Sequence, residues 1–404
     1  MVISSTTGPN SIKNILTLRY NPTKKSQIPK RNWQDFIEKP SDNTAYRAEK
    51  LIISNIKKSI KNSKKTKAVI ALSSGVDSTL VSSLVKKTCP DTTLNAISIR
   101  FAESTDESKY AARIARKFNI NHVVVHVDNY LKELPAAISI IGQPFWDLHW
   151  YYVVKKAKTL GSMLVSGDGG DELFGGYTFR YHKFLSITKT NSTPLAKTKA
   201  YLECHERDWV PDQEKIFGTK MRFSWNNIYS QILPYFDNPL TGLSQVFLAD
   251  FNGKLLYNWI PLNTKIHNHF KIKPITPIIS KETISYATHL PINLKYDKKT
   301  GSGKLLLRDI LNKYSLEKLL IKNKQGFSVD TTNLWKSHGY DLCNYYLNDA
   351  RIVKQKWIAD SWIQKHFQKS LDVRYVNKFL GLLALEVWYR IFVTKEMKST
   401  ETLS

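Results

Sequence analysis

Apolar positions change period along the chain, and the changes mark out its elements. Between Glu49 and Lys61, Leu51, Ile52, Ile53, Ile56 and Ile60 recur at helical spacing and predict a helix entering the core. From Lys67 onward short apolar runs alternate with helical stripes. AVIAL (68–72), LNAISI (94–99), HVVVHV (122–127) and SMLVS (162–166) read as strands. Between them Leu80, Val81, Leu84 and Val85, then Tyr110, Ala111, Ile114, Ala115 and Phe118, read as helix faces. Strands separated by helices run parallel through right-handed crossovers, so both faces of the sheet are covered. The pattern therefore predicts an α/β fold with a doubly wound, mainly parallel, nucleotide-binding sheet.

After about residue 180 the strand signal fades and aromatic-rich stretches at helical spacing take over, ending in FLGLLALEVWYRIF (379–392). Glu386 and Arg390 stand at i, i+4 in that last run, which marks a packed helix rather than a membrane span. The first fifty residues, with Pro9, Pro22, Pro29 and Pro40, predict an irregular arm or a short edge element. The expected organisation is an arm over 1–48 and one domain over 49–398, with a nucleotide core at about 65–185 and a helical C-terminal part at about 186–398.

Composition narrows the class. Over 404 residues, 42% hydrophobic and 23% charged residues exclude collagen-like, coiled-coil and globally disordered chains. Cys89, Cys204 and Cys343 stand far apart, so neither a disulfide framework nor a zinc knuckle is indicated, and Cys204 beside His205 makes only a weak nucleophile candidate. No apolar run spans a bilayer and the start MVISSTTGPNSIKN lacks a secretory profile, so the expected location is cytoplasmic. The outlier is charge: 60 Lys+Arg against 34 Asp+Glu give +26. Such a field attracts polyanions, but Lys57, Lys58, Lys61, Lys64, Lys65 and Lys67 carry no interleaved aromatics and no nucleic-acid-binding signature. A solvated basic surface is favoured over a nucleic-acid partner. The histidines form no compact ligand set, and His149 alone belongs near a pocket.

Two segments carry chemistry. LSSGVDST, Leu72 to Thr79, lies between the first strand and its helix. Backbone N–H groups of Ser73 to Ser78 and the hydroxyls of Ser73 and Ser78 can converge on a pyrophosphate, with the helix dipole behind them and Gly75 permitting close approach. Asp77 fits beside phosphates when a magnesium ion sits between. The plainer reading is a capped helix start; the whole S-x-G-x-D-S pattern after a buried strand favours the phosphate site. The second segment is VSGDGGDELFGGY (165–177), whose Asp168, Asp171 and Glu172 repel one another unless a cation, a basic group or a protonation shift offsets them. In an open α/β sheet both loops lie at the carboxyl ends of parallel strands, where ligands bind.

The first loop resembles the pyrophosphate loop of the N-type ATP pyrophosphatases, S-G-G-x-D-S, with Ser74 in place of the usual first glycine; it lacks the Gly-Lys-Ser/Thr ending of a Walker A loop. SGDGGDELFGGY (166–177) resembles the signature of the synthetase domain of asparagine synthetases. ISIRFAESTDESKYAARIARKFNINH (97–122), ATHLPINLK (287–295), GKLLLRDI (303–310), KNKQGFSV (322–329) and LLALEVWYRIF (382–392) are similar to further parts of that domain, so the resemblance runs from about residue 50 to 393. It implies an adenine nucleotide alpha hydrolase-like fold and amide synthesis through an acyl-adenylate. ATP and Mg2+ are the implied cofactors. A small carboxylate, aspartate foremost, attacks the α-phosphorus, and ammonia or another amine then displaces AMP. By this resemblance Leu72, Ser73, Ser74, Gly75, Asp77 and Ser78, with Gly167 and Gly169, hold nucleotide, and backbone around Ile97 and Ser98 holds adenine. Asp77 and Asp171 hold magnesium. Asp168 positions or deprotonates the amine, Lys324 stabilises charge on phosphate and in the tetrahedral intermediate, and Tyr177 orients Lys324.

The chain also departs from the family. Glutamine-dependent members begin with a glutaminase domain whose nucleophilic cysteine follows the initiator methionine; here Val2 stands there, and only ILTLRYNP (15–22) resembles the last strand of such a domain. Nitrogen is then expected from free ammonia, a separate glutaminase or another amine. On the acid side, NWIPLNTKIHNHFKIKPITPIIS (258–280) replaces an arginine-containing R-x-P-F-L-D stretch. Gln143 stands where an acid is common and His149 where a small hydroxyl residue is common. A related ligase or cyclase acting on another carboxylate is the nearest alternative, and an RNA-directed enzyme adenylating a tRNA base is the next.

Overall fold

The protein is described from a computed structural model covering residues 7–40, 42–205, 209–321 and 329–403. Five strands, β1 (Lys67–Ala71), β2 (Thr93–Phe101), β3 (Asn121–Val127), β4 (Met163–Val165) and β5 (Lys273–Ile275), form one parallel sheet in the order β3-β2-β1-β4-β5. The register sets Ile70 beside Val165 and Ala71 beside Ile97, with Val165 beside Ile275. The chain winds outward from β1 to β3, then returns to lay β4 on the other side of β1. That reversal opens a crevice between the exits of β1 and β4, the place where doubly wound sheets bind ligands.

The first four strands occur where the apolar runs predict them. β5 was not expected: it is three residues long, two of them exposed, and it carries Pro274. A proline is tolerated because this is an edge strand, where one N–H row needs no partner.

β1 shows why the sheet needs two covers. Ala68 and Ile70 enter one apolar core and Val69 the other, as alternation along a strand requires. Numbered in chain order, the helices around the sheet are α1 (Pro9–Leu18), α2 (Thr44–Ser59), α3 (Val76–Thr88), α4 (Ser108–Lys117), α5 (Leu134–Ile141), α6 (His149–Ala157) and α7 (Gly170–Phe174). Ile52 and Ile56 of α2, Leu80 and Leu84 of α3 and Ile114 of α4 fill the first core. Ile12 and Leu16 of α1, Ile138 of α5, Val154 of α6 and Leu383 of the C-terminal helix Val373–Phe392 fill the second.

The N-terminal segment departs from the expected irregular arm. Pro9 sits in the first turn of α1, where its missing N–H has no acceptor to lose, so it starts a helix instead of breaking one. Ile12 is fully buried, and Lys378 of the C-terminal helix donates to the Leu16 carbonyl at 2.6 Å. ILTLRYNP, likened to a strand, forms the end of α1 and a left-handed Arg19 (φ 65°). Segment 9–20 thus packs into both cores, Ile12 and Leu16 in the second and Leu18 and Tyr20 in the first.

The helical part is built around one bent rod. Gly242–Asp250 and Ile260–Phe270 are α-helical, and Phe251–Trp259 between them is π-helical. Pro261 supplies no N–H to the ladder, and the Tyr20 hydroxyl presses on Gly253 so closely that a Cβ there would lie 2.3 Å away. In the C-terminal helix Glu386 is fully buried; it accepts from Arg390 at 2.7 Å and from the backbone N–H groups of Arg351 and Ile352 at 3.0 and 3.1 Å. The i, i+4 pair read from the sequence is therefore a packed one.

A buried ion pair ties the rod to the sheet side. Arg180 meets Asp250 at 2.8 Å, and Tyr201 donates to the same carboxylate oxygen at 2.8 Å. Arg180 also donates to His205 Nε2 at 2.9 Å, and His205 Nδ1 donates to the Tyr201 carbonyl at 2.8 Å. Burial and the guanidinium hold the imidazole well below its ordinary pKa. Both ring nitrogens are thus taken, which removes His205 as a base for Cys204. Asp250→Ala is expected to destabilise the protein by roughly 3–5 kcal/mol, because it leaves a guanidinium buried without its counter-ion. Chemical denaturation checks this; a loss below about 1 kcal/mol would contradict the buried pair's structural role.

Candidate active site

The exit of β1 is a ring of hydroxyl contacts. Ser73 N–H donates to Ser78 Oγ at 3.2 Å, the Ser73 and Ser78 hydroxyls lie 2.9 Å apart, and Gly75 N–H donates to Ser73 Oγ at 3.2 Å. α3 begins at Val76, so the N–H groups of its first turn have no acceptor within the helix. Ser74, which replaces the family's glycine, is buried and turns its hydroxyl toward Glu107 Oε2 at 3.5 Å.

The exit of β4 closes over this loop. A Cβ on Gly167 would lie 2.6 Å from Asp77 Cβ, and one on Gly170 would lie 2.3 Å from Asp77 Cγ. Only glycine at both positions lets the second loop rest on the Asp77 side chain. The two segments singled out in the sequence therefore meet.

Where they meet, Lys304 stands between two carboxylates. Its Nζ lies 2.5 Å from Asp77 Oδ2 and 2.7 Å from Asp171 Oδ1. Lys304 is the left-handed N-cap (φ 58°) of helix Leu305–Lys313. Burial works against its charge, but Asp171 and Asp77 together outweigh burial and raise its pKa above the ordinary lysine value.

The other carboxylates of the loop behave differently. Burial pushes Asp168 up to about 6, against hydrogen bonds from Ser166 and Trp259. Burial and the neighbouring Asp171 push Glu172 up to about 7, and Tyr177 donates to Glu172 Oε1 at 2.5 Å. The Tyr177 ring lies between two cations, Arg180 at 3.7 Å and Lys254 at 4.1 Å from its centroid. Across the cavity, His149 Nδ1 lies 2.5 Å from Asp147 Oδ1, and its ring stacks on Trp259 at 5.5 Å. Asp147 also receives Arg19 at 3.1 Å and the Tyr130 hydroxyl at 3.0 Å. Despite its burial, His149 and Arg19 hold Asp147 below the usual carboxylate range.

The two loops and the residues across from them surround one cavity of about 620 Å³. Leu72, Ser73, Ser74, Gly75, Asp77 and Ser78 line it, as do Gly167, Asp168, Gly169, Asp171, Tyr177 and His149. Ile97 and Ser98, expected to hold adenine through their backbone, are not among the lining residues. They lie within β2, which runs on to Phe101, and their groups are spent beneath the loop. The Ile97 carbonyl accepts from Leu72 N–H at 2.9 Å, and Ser98 Oγ donates to the Leu72 carbonyl at 2.6 Å. Lys324, and with it the expected pairing to Tyr177, lies outside the described residues. Sequence reasoning missed Lys304, Lys254, Arg19 and Trp259, all on the cavity wall. Lys304 lies in GKLLLRDI, one of the segments that carry the resemblance, and that was its only signal.

Gly170→Ala is expected to weaken nucleotide binding at least about tenfold, because the new methyl group and the Asp77 carboxylate claim the same space. Calorimetric titration with ATP checks it; unchanged affinity would contradict the interlock of the two loops.

Known proteins resemble this chain over the same region. The family model described as asparagine synthase matches residues 57–390. Asparagine synthetase [glutamine-hydrolyzing] 1 of Bacillus subtilis is 24% identical over 374 residues, covering 82% of this chain and 57% of that protein. A putative asparagine synthetase [glutamine-hydrolyzing] of Mycobacterium tuberculosis is 24% identical over 362 residues, covering 80% and 54%. A putative asparagine synthetase [glutamine-hydrolyzing] 2 of Methanocaldococcus jannaschii is 32% identical over 111 residues, covering 26% and 22%. The chain spans a little over half the length of the first two relatives. With the family model matched across most of its length and the two signature loops closed on one cavity, the chain belongs to the asparagine synthase family.

Proposed function

We propose that the cavity joins a carboxylate to an amine at the expense of ATP, releasing pyrophosphate and AMP, with aspartate the leading acid and ammonia the simplest amine. The observation that carries this reading is the convergence of Asp77, Asp171 and Lys304 at the junction of the two loops. A carboxylate oxygen of the acid attacks the α-phosphorus and the bond to pyrophosphate breaks. The amine nitrogen then attacks the acyl carbon, the bond to AMP breaks, and one proton leaves the nitrogen.

The residues divide this work. The Ser73–Ser78 ring and the first turn of α3 offer donors to phosphate oxygens at a helix N-terminus. Asp77 and Asp171 already converge on a single cation, the Lys304 ammonium, so the pair fits a divalent ion. Among the described residues no cluster of three or more potential metal ligands exists. Two carboxylates completed by phosphate oxygens and water is how magnesium is commonly held. When bound, magnesium would offset charge on the leaving pyrophosphate. Lys304, the cation between the two carboxylates, would yield that place to the metal and turn its charge to phosphate oxygens. Asp168, ionised above a pH of about 6, accepts the proton of the incoming amine. Lys324 is assigned, on the resemblance alone, to charge that develops on the phosphate and in the tetrahedral intermediate.

Asp77→Ala and Asp171→Ala are each expected to abolish carboxylate-dependent pyrophosphate release, and Lys304→Ala to lower it at least about a hundredfold. A coupled pyrophosphate assay checks this, and wild-type rates in any of the three would overturn the assignment. Turnover is expected to rise with pH through about 6, because burial keeps Asp168 protonated below that value. Asp168→Asn should remove this limb. A profile for the unmodified protein that stays flat between about pH 5 and 8 would contradict the role.

A further inference from the structure

The helices that lead into β1, β2, β3 and β4 end at the sheet edge opposite the cavity, and basic side chains gather there. The last turns of α2, α3, α4 and α6 each hold a basic pair, from Lys57 and Lys58 in α2 to Lys155 and Lys156 in α6. The loops that follow meet one another. Lys273 Nζ donates to the Ser59 carbonyl at 3.2 Å and Lys158 Nζ to the Lys271 carbonyl at 3.1 Å. Thr93 N–H donates to the Thr66 carbonyl at 3.0 Å, and Asp91 N–H to Asn62 Oδ1 at 3.0 Å. A Cβ on Gly161 would lie 3.1 Å from the Lys67 carbonyl oxygen. Segments 57–67, 86–93, 155–162 and 271–273 therefore form one continuous edge.

Charge on this edge is one-sided. In these segments Asp91 is the only Asp or Glu, whereas Asp77, Asp147, Asp168, Asp171 and Glu172 surround the cavity. Lys58 meets Glu282 at 3.6 Å, Lys87 meets Glu49 at 3.5 Å and Lys155 meets Glu133 at 2.5 Å. Lys61, Lys64, Lys65, Lys67, Lys271 and Lys273 are exposed and, among the described residues, make no ion pair. Helix dipoles favour cations in last turns, but Lys61, Lys64, Lys65 and Lys67 lie beyond α2, and a dipole does not clear carboxylates from loops. The run over 57–67 has no nucleic-acid signature of its own; the fold joins it to the other segments and makes a face cleared of acids, which attracts polyanions. Among the described residues, every exposed large hydrophobic side chain lies in other segments, so the face has nothing to sink into a bilayer and no ring on which an unstacked base could rest. A duplex, with bases stacked inside and phosphates outside, fits it. Five strands about 4.8 Å apart make the edge roughly 19 Å long, the length of about eleven duplex phosphates, about half of them facing one side.

We propose that the amino-terminal edge of the sheet docks a nucleic-acid duplex through its phosphates, independently of base sequence. The edge faces away from the cavity, so the duplex is a docking partner and not the acceptor of the adenylate, and the proposal stands apart from the ligase reading.

The test is binding of fluorescent RNA and DNA duplexes of mixed sequence, each about 20 base pairs, to the full chain, read by anisotropy between about 50 and 200 mM salt. With about six phosphates contacted, the logarithm of the binding constant should fall against the logarithm of salt concentration with a slope of about −5. Lys61→Gln, Lys64→Gln, Lys65→Gln and Lys271→Gln together should reduce that slope by about 3 to 4 and weaken binding at least about tenfold at low salt. Lys189→Gln, Lys220→Gln, Lys365→Gln and Lys369→Gln, which remove the same charge from the helical half, should weaken binding less than about twofold. In the unmodified protein the duplex should protect Lys61 and Lys271, and not Lys365 or Lys369, from acetylation by an amine-reactive ester, read by mass spectrometry. Equal weakening by the two sets of substitutions, or equal protection, would show attraction by net charge alone and overturn the proposal. So would failure of both duplexes to bind at about 50 mM salt. Binding to phosphatidylserine vesicles tighter than to either duplex would assign the face to a membrane and overturn it too.

Discussion

Two carboxylates aimed at one cation are the constraint around which this molecule is arranged. Asp77 comes from the first turn of α3 and Asp171 from α7, at the exits of two adjacent parallel strands, and like charges so close are stable only with a positive charge between them. Lys304 provides it. The strand order brings the two exits side by side, and Gly167 and Gly170 let one loop rest on the other. A cation site made of two loops ties the sheet's topology to phosphate chemistry: neither loop alone holds the charge.

The helical half answers a different need. A cavity at the carboxyl ends of β1 and β4 has one finished side, and the rod from Gly242 to Phe270 supplies much of the other. Its π-helical middle places Lys254, Asn258 and Trp259 on the cavity wall, and Tyr20 from the N-terminal segment packs against Gly253 behind them. Arg19, on the same segment, reaches Asp147. The N-terminal segment therefore belongs to the site as well as to the core, and the buried Arg180–Asp250 pair links the rod to the helix that follows Tyr177.

What was legible in the sequence follows from where its signals were strong. Four strands showed as apolar runs and both loops as glycine and acid patterns that packing alone does not require. β5 was hidden because three residues with a proline carry no period, and α1 because Pro9 looks like a breaker until its position in the helix is known. Ile97 and Ser98 lie in the strand the apolar run predicted, where they hydrogen-bond the Leu72 backbone beneath the first loop. Lys254 had no signal and Lys304 only its place in GKLLLRDI: in a chain with 60 Lys+Arg, the fold is what sets these two lysines apart.

The most direct trial of the account follows the fate of a carboxylate oxygen. With aspartate labelled by heavy oxygen in its reacting carboxylate, ATP, magnesium and ammonia, one labelled oxygen should appear in AMP, because the acid attacks the α-phosphorus and leaves its oxygen there when the amine displaces it. Label found in inorganic phosphate, or AMP formed without label, would contradict an acyl-adenylate.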